Sequence, residues 1–197
     1  MDPQKKYHAF TISFNIRTNV LFTKVHLSEA FDPNTDKAKQ QPLMTECNAI
    51  WDTGASSSSI TKAFAAKLGF KPTGVAKVRN TSGEELRDTF LINVYLPNKV
   101  AMAYVRVVEC KELVGDFEFL VGMDIIGAGD FSVTHGNGKT TMSYRLPSAE
   151  TIDYVPETAS HNAKVDAGRK PKISKSKLRD KRKKERQNRK KSRKKKR

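Results

Sequence analysis

The residues best suited to chemistry lie in Ala49-Ile50-Trp51-Asp52-Thr53-Gly54-Ala55. An apolar stretch runs straight into a carboxylate, which is followed by a hydroxyl residue and a glycine. The apolar neighbours bury the approach to Asp52, and a carboxylate so placed can act as a general base or acid. Asp and Gly are also ordinary turn residues, so an Asx turn or a helix cap is the plain alternative. Two further features favour chemistry. A short helix is predicted soon after the motif. Downstream, Phe119-Leu120-Val121-Gly122-Met123-Asp124-Ile125-Ile126 repeats the logic of apolar strand residues, Gly, then an apolar turn.

Other groupings are weaker. His135-Gly136-Asn137-Gly138-Lys139-Thr140 looks like the end of a phosphate-binding loop, but Val133 stands where the earlier glycine is needed. Thr140 to Tyr144 then alternates like a strand instead of opening a helix, so a hairpin turn is expected. Gly127-Ala128-Gly129 lacks the third glycine of a dinucleotide loop. Ser56 to Ser59 has no nucleophile-elbow pattern. The histidines (His8, His26, His135, His161) show no ligand spacing, so no metal and no cofactor are expected.

The elements that must position Asp52 are mostly strands. Phe10, Ile12, Phe14 and Ile16 alternate with polar residues, which predicts a strand with one buried face. Thr18-Asn19 can turn the chain and Val20 to Leu27 reads as the returning strand, giving an N-terminal β-hairpin over 8–28. Residues 32–46 are polar and proline-punctuated, a linker. Cys47 to Trp51 is a short strand. Thr61 to Leu68 is the convincing helix of the body, with Phe64 and Leu68 on one face and Gly69 as its stop. Strands are predicted at 74–80, 88–96, 99–109, 117–121, 130–134 and 139–145. Short strands at this spacing with one short helix imply an all-β fold, a small β-barrel or closed sandwich.

With these motifs in place, the chain resembles the retropepsin-like aspartic proteases of retroviruses, retroelements and bacteria. The shared order is apolar-apolar-D-T-G-A, a flap containing Gly, then apolar-apolar-G-x-[DN]-apolar. The resemblance runs from about Thr45 to Pro147, and Gly122 to Val133 is most similar to bacterial members. It implies a small closed β-barrel of the retropepsin type and an endopeptidase that activates water with two carboxylates sharing a proton. The chain has one D-T-G, since Asp166-Ala167-Gly168 has no strand before it. The second carboxylate would come from a second copy, in a C2 homodimer with Asp52 and its symmetry mate at the axis.

Roles carry over residue by residue. Asp52 is the catalytic general base and acid. Thr53 turns its hydroxyl to the partner's backbone, and Gly54 lets the chain approach substrate closely. Ala55 offers the carboxylate no hydroxyl, so an activity optimum at weakly acidic to neutral pH is expected. Ser56 and Ser57 border the substrate. Asn80-Thr81-Ser82-Gly83, between two strands, is the expected flap tip, with Thr81, Ser82 and Gly83 over the substrate. Gly122 and Asp124 are structural. The viral acidic–Arg pair is absent, because Ser56 and Met123 occupy those positions. The competing expectation is a catalytically silent module of the same fold that binds a peptide or a partner.

Charge separates the chain into two parts. Residues 162–197 hold 20 Lys/Arg and 3 Asp/Glu, a net of +17, which leaves the remaining 161 at −1 of the total +16. The near-neutral body excludes reading the whole fold as a basic nucleic-acid binder. A domain over 1–155 and a disordered Lys/Arg-rich tail over 156–197 are expected, because the tail is nearly devoid of apolar residues. Residues 164–197 could attract RNA or DNA weakly and without sequence preference, and the runs KRKK and RKKKR would serve as a nuclear signal in a eukaryote. Cys47 and Cys110 are expected as free thiols. With no apolar run long enough for a membrane span and no leader pattern, a cytoplasmic protein off the membrane is expected.

Overall fold

The computed structural model describes residues 4–32, 34–35, 42–80, 83–98, 100–168, 179 and 182–186. The chain forms two compact units, 1–150 and 151–197.

The first unit is β-rich, with two sheets among the described residues. One is three-stranded, in the order β1 (His8–Phe14), β10 (Thr140–Leu146), β9 (Asp130–Thr134), antiparallel throughout. The other contains β2 (Phe22–Glu29), β3 (Thr45–Trp51), β8 (Phe119–Val121), β4 (Ser59–Thr61), β7 (Ala101–Cys110), β6 (Gly83–Tyr95) and β5 (Gly74–Asn80), side by side in that order. β6 runs for 13 residues, long enough that its far half also pairs with β2, from His26↔Tyr95 to Glu29↔Ile92. The sheet thus curls back on itself while β5 stays outside as an edge, so the barrel is not strictly closed.

Burial follows the period-two pattern. In β2, Thr23, Val25 and Leu27 are buried while Phe22, Lys24 and His26 face out. The core joins Val25, Leu27, Ala49, Ile60, Ile92, Val94, Val107, Phe119 and Val121 from the large sheet to Met142 and Tyr144 from the small one. The helix α1 (Lys62–Lys67) packs Phe64 and Ala65 inward, and the Thr61 hydroxyl caps it by accepting from the Phe64 N–H at 3.3 Å. Cys47 is buried and Cys110 half-buried, both free; burial pushes their thiols up to about 12 and about 11.

Several elements differ from the sequence expectation. β1 and β2 do not form a hairpin over 8–28. β1 pairs along seven residues with β10, and β2 pairs with β3, so the intervening chain crosses from one sheet to the other. The alternation of β1 fits either partner, and only tertiary contacts decide which is taken: Phe10 packs edge-on to Trp51, with ring centroids 5.7 Å apart. Ile16 does not share the buried face, because the strand stops at Phe14 and Ile16 is 70% exposed. Linker 32–46 is described only in part, and Thr45 and Glu46 already belong to β3. The serine run contributes the short strand β4. The expected apolar turn after Gly122 is a helical turn, α2 (Met123–Ile126). The strands β9 and β10 form the expected hairpin, joined through a 3-10 turn at Gly136–Gly138.

The second unit holds α3 (Tyr154–Gly168), where the sequence predicted disorder from 156. Its residues are exposed throughout, so no apolar face accounts for it. Local propensity does: Asp153 Oδ1 accepts the Val155 N–H at 2.9 Å as an N-cap, and Pro156 falls in the first turn, where its missing N–H costs nothing. Arg179 and residues 182–186 are also helical, and the rest of the basic tail lies outside the described residues. No helix among the described residues is long and apolar enough to cross a membrane.

Candidate active site

Asp52 follows directly on β3, whose end is held on every side. The Trp51 N–H donates to the Leu21 carbonyl at 2.8 Å, and its indole Nε1 donates to the Thr23 hydroxyl at 2.9 Å. The indole stacks on Phe131 with centroids 5.7 Å apart and meets Tyr144 edge-on at 5.2 Å. β3 runs parallel to β8, with Trp51 opposite Val121, and the Asp52 N–H donates to the Val121 carbonyl at 3.0 Å. The strand end therefore has little freedom.

The carboxylate is half-buried. Its Oδ1 accepts the Gly54 N–H at 2.8 Å, an Asx-type bond that fixes the side-chain angle. Among the described residues no donor reaches Oδ2, which leaves one oxygen open to water or a second carboxylic acid. The turn and the carboxylate readings of this Asp are thus compatible: one oxygen builds the turn and the other stays available. Thr53 is exposed, and its hydroxyl has no partner among the described residues.

The loop after Asp52 is clamped to the second motif. Ala55 O accepts the Met123 N–H at 2.8 Å. Asp124 takes two bonds from one residue, from the Ser58 N–H at 2.9 Å and the Ser58 hydroxyl at 2.7 Å. The Ser58 oxygen in turn accepts the Gly122 N–H at 3.0 Å. Gly122 is buried here, and a Cβ on it would lie 2.5 Å from the Ser57 carbonyl carbon. The adjoining α2 is anchored by the Tyr144 hydroxyl, which donates to Ile125 O at 2.7 Å. The sequence picked out Ser56 and Ser57 but missed Ser58, which is fully buried. The signal was available in Asp124: a carboxylate tucked behind a glycine needs donors, and the nearest unassigned hydroxyls are in the serine run.

A cleft of about 1020 Å³ adjoins this loop. Gly54, Ala55, Ser56 and Ser57 line one side, β5 residues 76–79 another, and β7 residues Met102 to Arg106 a third; Asp52 itself is not among the lining residues. The Tyr104 backbone sits in the left-handed region at φ 55, held by a 3.0 Å bond from its N–H to Asn93 Oδ1. The strands β5 and β6 form the expected hairpin over this cleft, paired in register out to Asn80↔Gly83. Lys77 and Arg79 on one arm bridge to Glu84 on the other, Arg79 at 2.6 Å. Gly83 is exposed with φ 127, a conformation suited to glycine at a tip. Thr81 and Ser82 lie outside the described residues. No cluster of metal-ligating side chains occurs among the described residues.

A second polar node closes the first unit. Asp130 accepts from Arg145 Nη2 and the Ser148 hydroxyl, both at 2.6 Å, and from the Ala149 N–H at 2.9 Å. The Ser148 hydroxyl foremost, then the Ala149 N–H and the Arg145 guanidinium, hold the Asp130 carboxyl down at about 2.

No family model matches the chain, and no curated protein does. Among solved structures, it is similar to a retropepsin-like aspartic protease from Rickettsia conorii, at 16% identity and a TM-score of 0.43, covering 73% of this chain and 98% of that one. It is similar to the EIAV protease complexed with the inhibitor HBY-793, at 16% identity and a TM-score of 0.42, over 59% and 92%. A third likeness is the simian foamy virus protease, at 15% identity and a TM-score of 0.34, over 53% and 92%. At such identities the chemistry rests on the site's own residues.

Proposed function

We propose that the chain is an aspartic endopeptidase that works as a homodimer. The observation that carries this is Asp52: a rigidly held carboxylate with one oxygen engaged by Gly54 and the other open, beside a peptide-sized cleft under a β-hairpin. Peptide hydrolysis needs one group to take a proton from water and another to protonate the carbonyl oxygen or the leaving amine. One carboxylate of a close pair stays protonated because both cannot ionise together, so the pair supplies both groups. One chain provides one such Asp, and a second copy about a two-fold axis provides the other. In this reading Thr53, which is exposed and whose hydroxyl has no partner among the described residues, bonds across that axis. Gly54, Ala55, Ser56 and Ser57 border the substrate, the 81–83 tip covers it, and Gly122 and Asp124 hold the loop. Residues 164–197, carrying most of the basic charge, attract RNA or DNA weakly and without sequence preference. The site of action is the cytoplasm.

The test compares wild type with Asp52→Asn on a mixed peptide library and for self-cleavage. Wild type cleaves with an optimum at weakly acidic to neutral pH, and the variant loses activity by at least about 10³-fold, the scale of a lost acid–base group. Equal cleavage by both would eliminate the catalytic role of Asp52, and no cleavage by either would leave a peptide-binding module.

A further inference from the structure

Charged side chains around the cleft are engaged within the chain, with one exception. Lys77 and Arg79 on β5 both bridge to Glu84. Glu109, 8% exposed, lies 3.8 Å from Lys62 Nζ and 4.0 Å from Arg87 Nη1. Asp124 accepts from the Ser58 N–H, the Ser58 hydroxyl and the Ile125 N–H. Arg106 lines the same cleft and is exposed, and among the described residues no hydrogen bond or ion pair engages its guanidinium. A guanidinium keeps its charge at any ordinary pH, and its planar fork of donors matches a carboxylate.

Its place along the cleft follows from register. Val107, its neighbour on β7, is fully buried in the core, so Arg106 lies on the opposite face of the strand. Val108 shares that face with Arg106. It pairs with Ser59 on β4, and its N–H donates to the Ser58 carbonyl at 3.0 Å. The two strands run parallel, so Arg106, two residues and about 7 Å earlier, stands level with the loop that joins Asp52 to β4. Ala76 and Val78, both half-buried, line the cleft from β5. The guanidinium is therefore placed to bind substrate along the cleft, away from the reacting bond.

We propose that Arg106 sets substrate choice: the cleft selects peptides that carry an Asp or Glu side chain a few residues from the scissile bond, and Arg106 pairs with that carboxylate. The inference rests on the endopeptidase reading and names its substrate class. Two arguments select an acidic side chain. A substrate cation would have to compete with pairs and hydrogen bonds already made at Glu84, Glu109 and Asp124, and would meet like charge at Arg106. A substrate carboxylate displaces no partner and gains charge-assisted N–H···O bonds. The walls beside Arg106 are otherwise short or apolar at Ala76, Val78, Met102 and Val105, so they bind side chains without regard to charge, and Arg106 discriminates.

The experiment uses the full chain and peptide sets in which one position at a time is Glu, Gln or Lys, with cleavage read by mass spectrometry. Wild type should favour Glu over Gln at one position by about 5- to 10-fold in kcat/KM, mostly through KM, at low salt. The preference should shrink as salt rises. Arg106→Gln should bring that ratio close to 1, Arg106→Lys should keep part of it, and Arg106→Glu should favour Lys instead. A wild type that cleaves with no preference for Glu at any position, or an Arg106→Gln chain that keeps the preference, overturns the proposal and leaves the endopeptidase standing. Calorimetric titration of the Glu and Gln peptides into Asp52→Asn, with and without Arg106→Gln, reads the same preference without turnover. If wild type cleaves nothing while the Glu peptide binds more tightly and loses that advantage with Arg106→Gln, the endopeptidase reading falls and the Arg106 contact stands.

Discussion

Replacing Gly122 by Ala is expected to be among the most damaging small changes in the chain, although it adds one methyl group. The backbone at Gly122 has φ −96, which Ala adopts freely, so the cost is steric. The new Cβ would meet the Ser57 carbonyl carbon at 2.5 Å, its oxygen at 2.7 Å and the Ser58 nitrogen at 2.9 Å. These are backbone atoms and cannot rotate aside. Forcing a methylene into a packed interior costs about 1–3 kcal/mol, and here the upper end applies. Parting the two segments also stretches the Met123 N–H bond to Ala55 O and the Gly122 N–H bond to the Ser58 hydroxyl, each worth about 1 kcal/mol. The total is about 3–5 kcal/mol, a large share of the ~5–15 kcal/mol that holds a domain together. The control is Gly136→Ala, where a Cβ meets nothing within 4 Å and φ is not positive. That change should leave stability unaltered or raise it by up to about 1 kcal/mol. Urea unfolding by circular dichroism, in an Asp52→Asn background at fixed protein concentration, measures both. If Gly122→Ala unfolds within about 1 kcal/mol of its parent, the clamp between the two motifs is not what holds the loop.

Three further outcomes follow from the same geometry. Tyr144→Phe keeps the ring packing but leaves the buried Ile125 carbonyl without its donor, which should cost about 1–2 kcal/mol, or roughly 3–6 °C in Tm by calorimetry. Asp130 has its folded pKa depressed to about 2, so its contribution is complete above its ordinary value of 3.8 and is lost as pH falls toward 2. Asp130→Asn should therefore destabilise by about 1–2 kcal/mol at pH 7, after allowance for solvent screening, and the gap to wild type should close between about pH 4 and 2; a constant gap would refute the linkage. Cys47 and Cys110, with thiols pushed up to about 12 and about 11, should react with a disulfide reagent at pH 8 far more slowly than an exposed thiol. Unfolding in urea should restore the rate, and rapid labelling of both in the native protein would count against the burial described.

Local pattern carried much of this structure. The alternation at 74–80 and 130–134 matches β5 and β9 at both ends, and Phe64 with Leu68 correctly marked the core face of α1. What pattern could not carry was partnership. The alternation of Phe10, Ile12 and Phe14 is the same whether β1 pairs with β2 or with the sequence-distant β10, and only the Trp51 cluster settles it. The same limit hid Ser58. Its role depends on Asp124, 66 residues distant, and no periodicity links them. The helix α3 was missed for the opposite reason: the expectation of disorder weighed burial alone, whereas Asp153 and a run of adequate helix formers suffice locally.

The chain has one tryptophan, and it is Trp51. That indole stacks on Phe131, touches Phe10 and Tyr144 from the other sheet, and precedes Asp52 by one residue. Its emission is therefore an internal optical gauge at the seam between the sheets. A red shift would report loosening of that seam, and quenching on ligand addition would report events next to the carboxylate. Every variant above can be followed with no label attached.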